Sequence, residues 1–194
     1  MIITGTKKIG LLGGSFNPPH QGHLQLSLKA LRILDLDEIW WIPTDINPLK
    51  ETSSFMTRAE KDQHIDRMIL ASKGKIKLCP KSAMSPSPYT YDLVSHIRSL
   101  YPHDHFIWLM GADNFIQLPK WYRWKDLMKL IPFFVFGRPS YTKRAVSCAA
   151  AEQFRPYQVE EFQFRFLPHL GPKFWGFTDQ LFLPDSSTQL RRFS

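Results

Sequence analysis

Two histidines in a segment rich in glycine and proline have the spacing that most clearly points to chemistry. The segment runs from Gly13 to Leu24 with the sequence GGSFNPPHQGHL, and it places His20 and His23 three positions apart. In the first turn of a helix, side chains at this spacing share one face. Two imidazoles on one face can donate hydrogen bonds to phosphate oxygens, and the N–H groups of a helix N-terminus favour an anion there. The segment therefore predicts a phosphate-binding loop.

The residues around the histidines fit such a loop. Gly13 and Gly14 end an apolar run at a place where the backbone must turn or approach a ligand. Pro18 and Pro19 lead into the expected helix, and Gly22 leaves room for a ligand at its start. The segment does not match the Walker loop, since no lysine follows its glycines, and it lacks the spacing of the dinucleotide fingerprint. A zinc site would need a third ligand.

The loop must be held by regular elements, and short apolar runs recur along the chain at intervals of about thirty residues, the size of one βαβ unit. Continuous apolar strands that alternate with helices are typical of a parallel sheet covered on both faces. The sequence therefore predicts an α/β fold with a doubly wound, Rossmann-like parallel sheet. The five apolar runs are Ile9–Leu12, Glu38–Ile42, Lys75–Leu78, Phe106–Met110 and Phe133–Phe136.

Helix-like segments lie between these runs. A Thr57–Glu60 capping box favours the start of one of them. Further along, Val159–Leu167 and Phe174–Leu183 alternate like strands, and residues 186–193 are typical of a helix start. The four predicted helices are Leu24–Leu34, Thr57–Ala71, Tyr91–Leu100 and Trp124–Ile131.

Composition narrows the class of protein. The chain has 194 residues with 43% hydrophobic residues, which predicts one globular domain over 1–194. Its formal net charge of +8 favours anionic partners. Two cysteines cannot form a disulfide framework, and we expect a cytoplasmic protein. The apolar stretches are shorter than the roughly 20 residues of a membrane span, so no membrane association is expected.

The histidine segment resembles the HxGH signature of a nucleotidyltransferase superfamily. Residues 185–191, DSSTQLR, resemble the second motif of that superfamily, which is Ile-Ser-Ser-Thr-x-Ile-Arg. Three further strings are similar to bacterial nicotinate-nucleotide adenylyltransferases. They are SPYTYDL at 87–93, MGADN at 110–114 with WYRWK at 121–125, and FGRP at 136–139. The resemblance implies transfer of an adenylyl group from ATP to nicotinate mononucleotide, giving deamido-NAD and pyrophosphate in NAD biosynthesis.

The chain departs from the family pattern at three single residues, and only Arg192, Phe193 and Ser194 follow Arg191 where family members usually carry a longer helix. Asn17 stands where Asp is frequent, Ser140 replaces a usual Gly, and Asp185 replaces an apolar residue before Ser-Ser-Thr.

The resemblance also implies roles for individual residues. His20 and His23 are the expected catalytic residues on the ATP phosphates. Mg²⁺ is expected with the triphosphate, held mainly by phosphate oxygens and water, without a metal site built from protein side chains. The implied ATP-binding residues are Gly13, Gly14, Ser15, Phe16, Gly111, Asp113, Ser187, Thr188 and Arg191.

The second substrate meets a different set of residues. Trp121 is the expected stacking partner of the pyridine ring. The backbone N–H groups of Thr90 and Tyr122 are expected to bind its carboxylate. The phosphate of the mononucleotide is expected near the side chains of Asn47, Lys50 and Arg138. The implied nicotinate-nucleotide-binding residues are Asn47, Lys50, Thr90, Trp121, Tyr122 and Arg138.

Several alternatives stay open on the sequence alone. The acceptor can instead be nicotinamide mononucleotide or another phosphorylated molecule. The charge and the aromatic residues also fit a basic nucleic-acid-binding module, although no dense cationic run is present. A non-catalytic metabolite sensor would keep the same histidines. Asp113 can be a helix N-cap, Trp121 a core aromatic and Lys50 a solvated charge. The oligomeric state is not indicated.

Overall fold

The computed structural model describes residues 6–43, 57–138 and 140–179. Within them lies a six-stranded sheet in the order β3-β2-β1-β4-β5-β6, and every neighbouring pair is parallel. The predicted doubly wound sheet is confirmed: five strands lie in the predicted apolar runs, and the sixth lies in the segment predicted at Phe174–Leu183. The strands are β1 (Lys8–Gly14), β2 (Glu38–Pro43), β3 (Ile76–Leu78), β4 (His105–Gly111), β5 (Phe133–Phe136) and β6 (Trp175–Thr178).

Helices connect the strands, and the capping box predicted at Thr57 and Glu60 is present, with each side chain accepting from the backbone of the other residue. Within the described ranges, no helix combines the length and the apolar character needed to cross a bilayer. The helices are α1 (Gln21–Ile33), α2 (Arg58–Ile69), α3 (Thr90–Leu100), α4 (Ala112–Gln117), α5 (Trp124–Met128), α6 (Thr142–Val146), α7 (Ala149–Gln153) and α8 (Leu167–Leu170).

The sheet has an apolar core on each face. Successive side chains of a strand point to opposite faces, so Leu11 packs with α3 to α7 whereas Leu12 packs with α1, α2 and α8. Trp108 and Leu109 of β4 divide between the two cores in the same way. This double burial explains why the strands appear in the sequence as continuous apolar runs.

The direction of the chain across the sheet reverses between β1 and β4. From β1 the chain moves outward to β2 and β3, and then returns to place β4 on the other side of β1. In open parallel sheets, ligands bind at such a reversal, outside the carboxyl ends of the strands. The ends of β1, β4 and β5, at Gly14, Gly111 and Phe136, therefore lie side by side.

The strand predicted at Val159–Leu167 is wrong. Val159 does bond to β6 through its N–H, but Glu161–Phe166 then forms a 3-10 turn. A capping box between Glu160 and Gln163 begins this turn. Phe164 and Leu167 are buried three positions apart, so the period of the buried side chains is three and not two.

Other boundaries differ by a few residues. The helix predicted to reach Ile131 ends at Met128, close to Pro132, which disfavours helical geometry just before it. The segment predicted at Phe174–Leu183 is a strand over Trp175–Thr178. Its last residues and the helix start predicted for 186–193 lie outside the described residues.

A buried hydroxyl ties α1 to the sheet. The indole Nε1 of Trp41 donates to Ser27 Oγ at 2.8 Å, and this hydroxyl donates to the His23 carbonyl at 2.9 Å. Both side chains are fully buried, so no solvent can replace either bond.

We expect Ser27→Ala to lower the free energy of unfolding by ~1–3 kcal/mol, because the Trp41 N–H would lose its partner inside the core. Ser147 makes the same kind of bond, to the carbonyl four residues earlier, but on an exposed helix end. Ser147→Ala is the matched control and should change stability by less than about 0.5 kcal/mol. Urea denaturation of the two variants tests this, and equal effects would contradict it.

Candidate functional site

His20 and His23 form the start of helix α1. His20 is the N-cap residue, and its Nδ1 accepts a hydrogen bond from the Gly22 N–H at 3.1 Å. His23 Nδ1 accepts in turn from the His20 N–H at 3.2 Å. The two imidazoles thus satisfy backbone donors that a helix N-terminus leaves without intrahelical partners. Their ring centroids lie 3.8 Å apart, which confirms that the predicted pair shares one place.

These bonds also determine how the rings are protonated. Each Nδ1 acts as an acceptor, so in the neutral ring the proton is carried by Nε2, which is then a donor. Burial lowers the pKa of His23 well below its ordinary value, and the nearby charges of His20 and Arg138 lower it further. His23 is therefore a neutral hydrogen-bond donor at neutral pH.

The ring of Phe16 packs against the imidazole of His23. Its ring centroid lies 4.5 Å from that of His23 and 4.9 Å from that of Trp41. Phe16 is fully buried and has a φ of 44°, in the left-handed region that is costly for a bulky residue. Its packing against both rings compensates for this backbone conformation. Ser15, the preceding residue, is half-buried.

A carboxylate and a guanidinium meet at the ends of β4 and β5. Asp113 Oδ1 lies 3.4 Å from Arg138 Nε, and no hydrogen bond reaches this buried oxygen from the described residues. A Cβ on Gly111 would lie 2.6 Å from the same oxygen and 2.9 Å from Nε, so only glycine permits the pair. The alternative that Asp113 is a helix N-cap is wrong, since Gly111 is the N-cap of α4.

The residues expected to bind the pyridine ring lie on the face of the sheet that α3 and α5 cover. Thr90 is the first residue of α3, where backbone N–H groups have no intrahelical acceptor. Trp121 is half-buried and follows the turn that ends α4. The exposed rings of Tyr89 and Tyr122 stack with centroids 4.5 Å apart. This stack holds the start of α3 against the segment before α5.

One residue of this region was missed by sequence reasoning. Trp108 lies in β4, and its ring meets Trp121 edge-to-face with a centroid distance of 6.4 Å. A Cβ on Gly13 would lie 2.7 Å from Cη2 of Trp108, so the ring fills the space that this glycine leaves. In the sequence Trp108 is one apolar residue among others in a strand, and no local pattern predicts that its ring lies against Gly13.

Comparisons with known proteins agree with this geometry. The family model described as cytidylyltransferase-like matches residues 11–193. A relative from Parvibaculum lavamentivorans, named "probable nicotinate-nucleotide adenylyltransferase", is 36% identical over 98% of this chain and 94% of its own length. A Ruegeria relative of the same name is 36% identical over 95% of this chain and 96% of its own. The chain belongs to the nicotinate-nucleotide adenylyltransferase family.

Solved structures show the same fold. The Plasmodium falciparum nicotinic acid mononucleotide adenylyltransferase complexed with NaAD matches with a TM-score of 0.67. The match covers 96% of this chain and 83% of that one at 21% identity. A structure of the same Plasmodium protein complexed with APC matches with the same TM-score at 20% identity.

The structure brings most of the sequence-predicted residues to one edge of the sheet. Gly13, Gly14, Ser15, Phe16, His20 and His23 lie at the end of β1 and the start of α1. Gly111, Asp113 and Arg138 lie at the ends of the two strands beside it. Five predicted residues lie outside the described residues: Asn47, Lys50, Ser187, Thr188 and Arg191.

The lowered pKa of His23 gives a testable pH dependence. We expect its ring to stay neutral in an NMR titration at pH 6.5, where a histidine in a peptide is half protonated. Below that pH, His23 binds a proton in the unfolded chain but stays neutral in the folded protein. The free energy of unfolding should therefore fall as the pH falls toward the pKa of His23 in the folded protein. His23→Gln should remove part of this acid sensitivity. A His23 ring that titrates at or above pH 6.5 would contradict the account.

Proposed function

We propose that this protein transfers the adenylyl group of ATP to nicotinate mononucleotide, producing deamido-NAD and pyrophosphate. The observation that carries the proposal is the paired imidazoles of His20 and His23 at the end of β1, beside Asp113 and Arg138. That arrangement lies at the strand-order reversal, in a chain that belongs to the nicotinate-nucleotide adenylyltransferases.

The reaction requires positioning more than covalent chemistry. A phosphate oxygen of nicotinate mononucleotide attacks the α-phosphorus of ATP in line, a new P–O bond forms, and the bond to the β-phosphate oxygen breaks. Negative charge builds on the oxygens around the α-phosphorus and on the departing pyrophosphate. A protein accelerates such a step by holding both substrates and placing donors where this charge develops.

His20 and His23 are the donors that we assign to the reacting phosphates. With both Nδ1 atoms engaged by backbone N–H groups, Nε2–H of each ring is the group presented to the phosphate oxygens. Because the rings also cap α1, they are held before any substrate arrives. The helix N-terminus adds backbone donors and a favourable dipole at the same point.

Mg²⁺ enters as part of the ATP substrate. We propose that phosphate oxygens and water hold the ion. Among the described residues, no group of three His, Cys, Asp or Glu side chains could hold a metal ion. When bound, the ion neutralises part of the triphosphate charge.

The other roles follow the geometry around the histidines. We assign the ribose hydroxyls of adenosine to Asp113, whose Oδ1 accepts no hydrogen bond from the described residues. We assign the pyridine ring to Trp121, its carboxylate to the N–H groups of Thr90 and Tyr122, and the mononucleotide phosphate to Arg138. The half-buried position of Trp121 and the helix-start position of Thr90 support these roles.

The proposal includes residues beyond the described ranges. Asn47 and Lys50 are assigned to the mononucleotide phosphate. Ser187, Thr188 and Arg191 are assigned to the β- and γ-phosphates, which makes 185–194 part of a single domain over 1–194. We place the reaction in the cytoplasm, a compartment that suits two unpaired cysteines, Cys79 and Cys148.

We expect the enzyme to discriminate among phosphorylated acceptors. Pyrophosphate release with ATP and Mg²⁺ should be fast with nicotinate mononucleotide and much slower with nicotinamide mononucleotide or phosphopantetheine. His20→Ala should lower kcat by about a hundredfold or more, the loss typical for one lost transition-state donor. His103→Ala, at an exposed histidine, is the matched control and should leave kcat unchanged.

Other outcomes separate the alternatives. A preference for nicotinamide mononucleotide would keep the mechanism and contradict the roles of Thr90, Trp121 and Tyr122. Absence of turnover with every acceptor would contradict the proposed function and favour a sensor.

We expect Asp113 to affect the binding of ATP and not that of nicotinate mononucleotide. Asp113→Asn should raise KM for ATP about tenfold or more, the effect of losing a charged hydrogen-bond acceptor, with little change in KM for nicotinate mononucleotide. Glu152, whose exposed side chain pairs with that of Arg155, supplies the control. Glu152→Gln should change neither constant. An equal rise in both KM values for Asp113→Asn would show that the carboxylate holds the site together without contacting adenosine.

A further inference from the structure

We propose that the indole N–H of Trp108 donates a hydrogen bond to the carboxylate of the bound nicotinate nucleotide, and that Trp108 is a specificity-determining residue. The inference rests on the proposed function, because it adds a third donor for the carboxylate to the backbone N–H groups of Thr90 and Tyr122.

The first observation is an unused donor. Trp108 is only 3% exposed, its Nε1 is fully enclosed, and no described residue accepts from it. The other buried indoles in the described ranges do have partners. Trp40 donates to Glu38, Trp41 to Ser27 and Trp175 to the Phe154 carbonyl, at 2.9, 2.8 and 2.9 Å respectively.

A buried donor without a partner costs the free energy of its desolvation, so native structures seldom retain one without a ligand, a water or an ion to satisfy it. The fold pairs three of these indoles internally and leaves the fourth unpaired. The exception lies where the family's substrate is expected, which points to the substrate as the missing acceptor.

The second observation is the direction of the ring. Trp108 lies opposite Leu11 in the β1–β4 ladder, yet its six-membered ring lies against Gly13, two residues nearer the carboxyl end of β1. Cζ2, the ring carbon next to the one that joins Nε1, would lie 2.8 Å from a Cβ on Gly13. The six-membered ring therefore leans along the strand toward the ligand edge, and the side that carries Nε1 is nearer to Gly13 than the opposite side, whose Cζ3 would lie 3.9 Å from the same Cβ.

The third observation is its orientation to Trp121. The two ring planes are almost perpendicular, at 89°. A pyridine ring stacked on Trp121 would also be perpendicular to Trp108, so Trp108 could not stack on the pyridine and would meet an atom at its periphery. The 3-carboxylate is a peripheral group, and a charged acceptor makes a stronger hydrogen bond than the neutral amide of the nicotinamide nucleotide. Trp108 would thus favour the carboxylate over the amide.

The direct test observes the donor itself in the intact protein. In an ¹H–¹⁵N spectrum the indole signal of Trp108 should move downfield when nicotinate mononucleotide is added, as expected for an N–H that gains a charged acceptor. Trp108→Phe identifies the signal by its absence, and side-chain assignment does so if that variant does not fold. The indole of Trp175, already bonded to a carbonyl, is the internal control and should not move.

A kinetic test uses the same variant. Trp108→Phe keeps an aromatic ring and removes the N–H, so it should raise KM for nicotinate mononucleotide about tenfold while changing KM for nicotinamide mononucleotide much less. Trp175→Phe, which deletes a paired indole far from the histidine loop, should leave the ratio of the two KM values unchanged. A structural defect alone would change both constants together.

The outcomes separate this inference from the proposed function. If nicotinate mononucleotide is turned over and moves the Trp121 signal but not that of Trp108, the Trp108 role is wrong and the proposed function stands. An unchanged KM ratio in Trp108→Phe would also overturn it. If no indole signal moves and there is no turnover, both the proposed function and this inference fail.

Discussion

The close approach of β1 and β4 at their carboxyl ends is the constraint on which the rest of the site depends. The two strands are neighbours, yet the chain leaves them toward opposite faces of the sheet, into α1 and α4. In open parallel sheets such a divergence leaves a crevice outside the carboxyl ends of the strands, and Gly13 and Gly111 lie at this edge. Gly13 admits the Trp108 ring and Gly111 admits the Asp113–Arg138 pair, where a single added carbon would collide with either neighbour.

At this edge of the sheet, the same atoms stabilise the fold and serve the proposed chemistry. The Nδ1 atoms of His20 and His23 cap α1, which fixes the orientation of both rings and leaves the opposite nitrogen of each as a donor. Burial lowers the pKa of His23, because a charged ring there would lose its hydration beside other cationic groups. In the proposed reaction the donors are organised before substrate binds, so little reorganisation is needed.

Much of this was predictable from the sequence, because it depends on local patterns. Apolar runs predicted the strands, and the spacing of His20 and His23 predicted their shared position. The 3-10 turn at Glu161–Phe166 was not predicted, because a capping interaction at Glu160 overrides the alternation of phenylalanines. The Asp113–Arg138 pair and the reach of Trp108 toward Gly13 join residues distant in sequence. Such contacts depend on strand order and register, which no local pattern records.

The central claim is that both substrates meet across the ends of β1, β4 and β5, beside the histidine pair. A crystal structure with deamido-NAD, the product that joins both halves, tests it most directly. The account predicts the pyridine ring on Trp121, the bridging phosphates within hydrogen-bond distance of His20 and His23, and the adenosine ribose at Asp113. Product bound elsewhere on the sheet, or bound without contact to either imidazole, would contradict it.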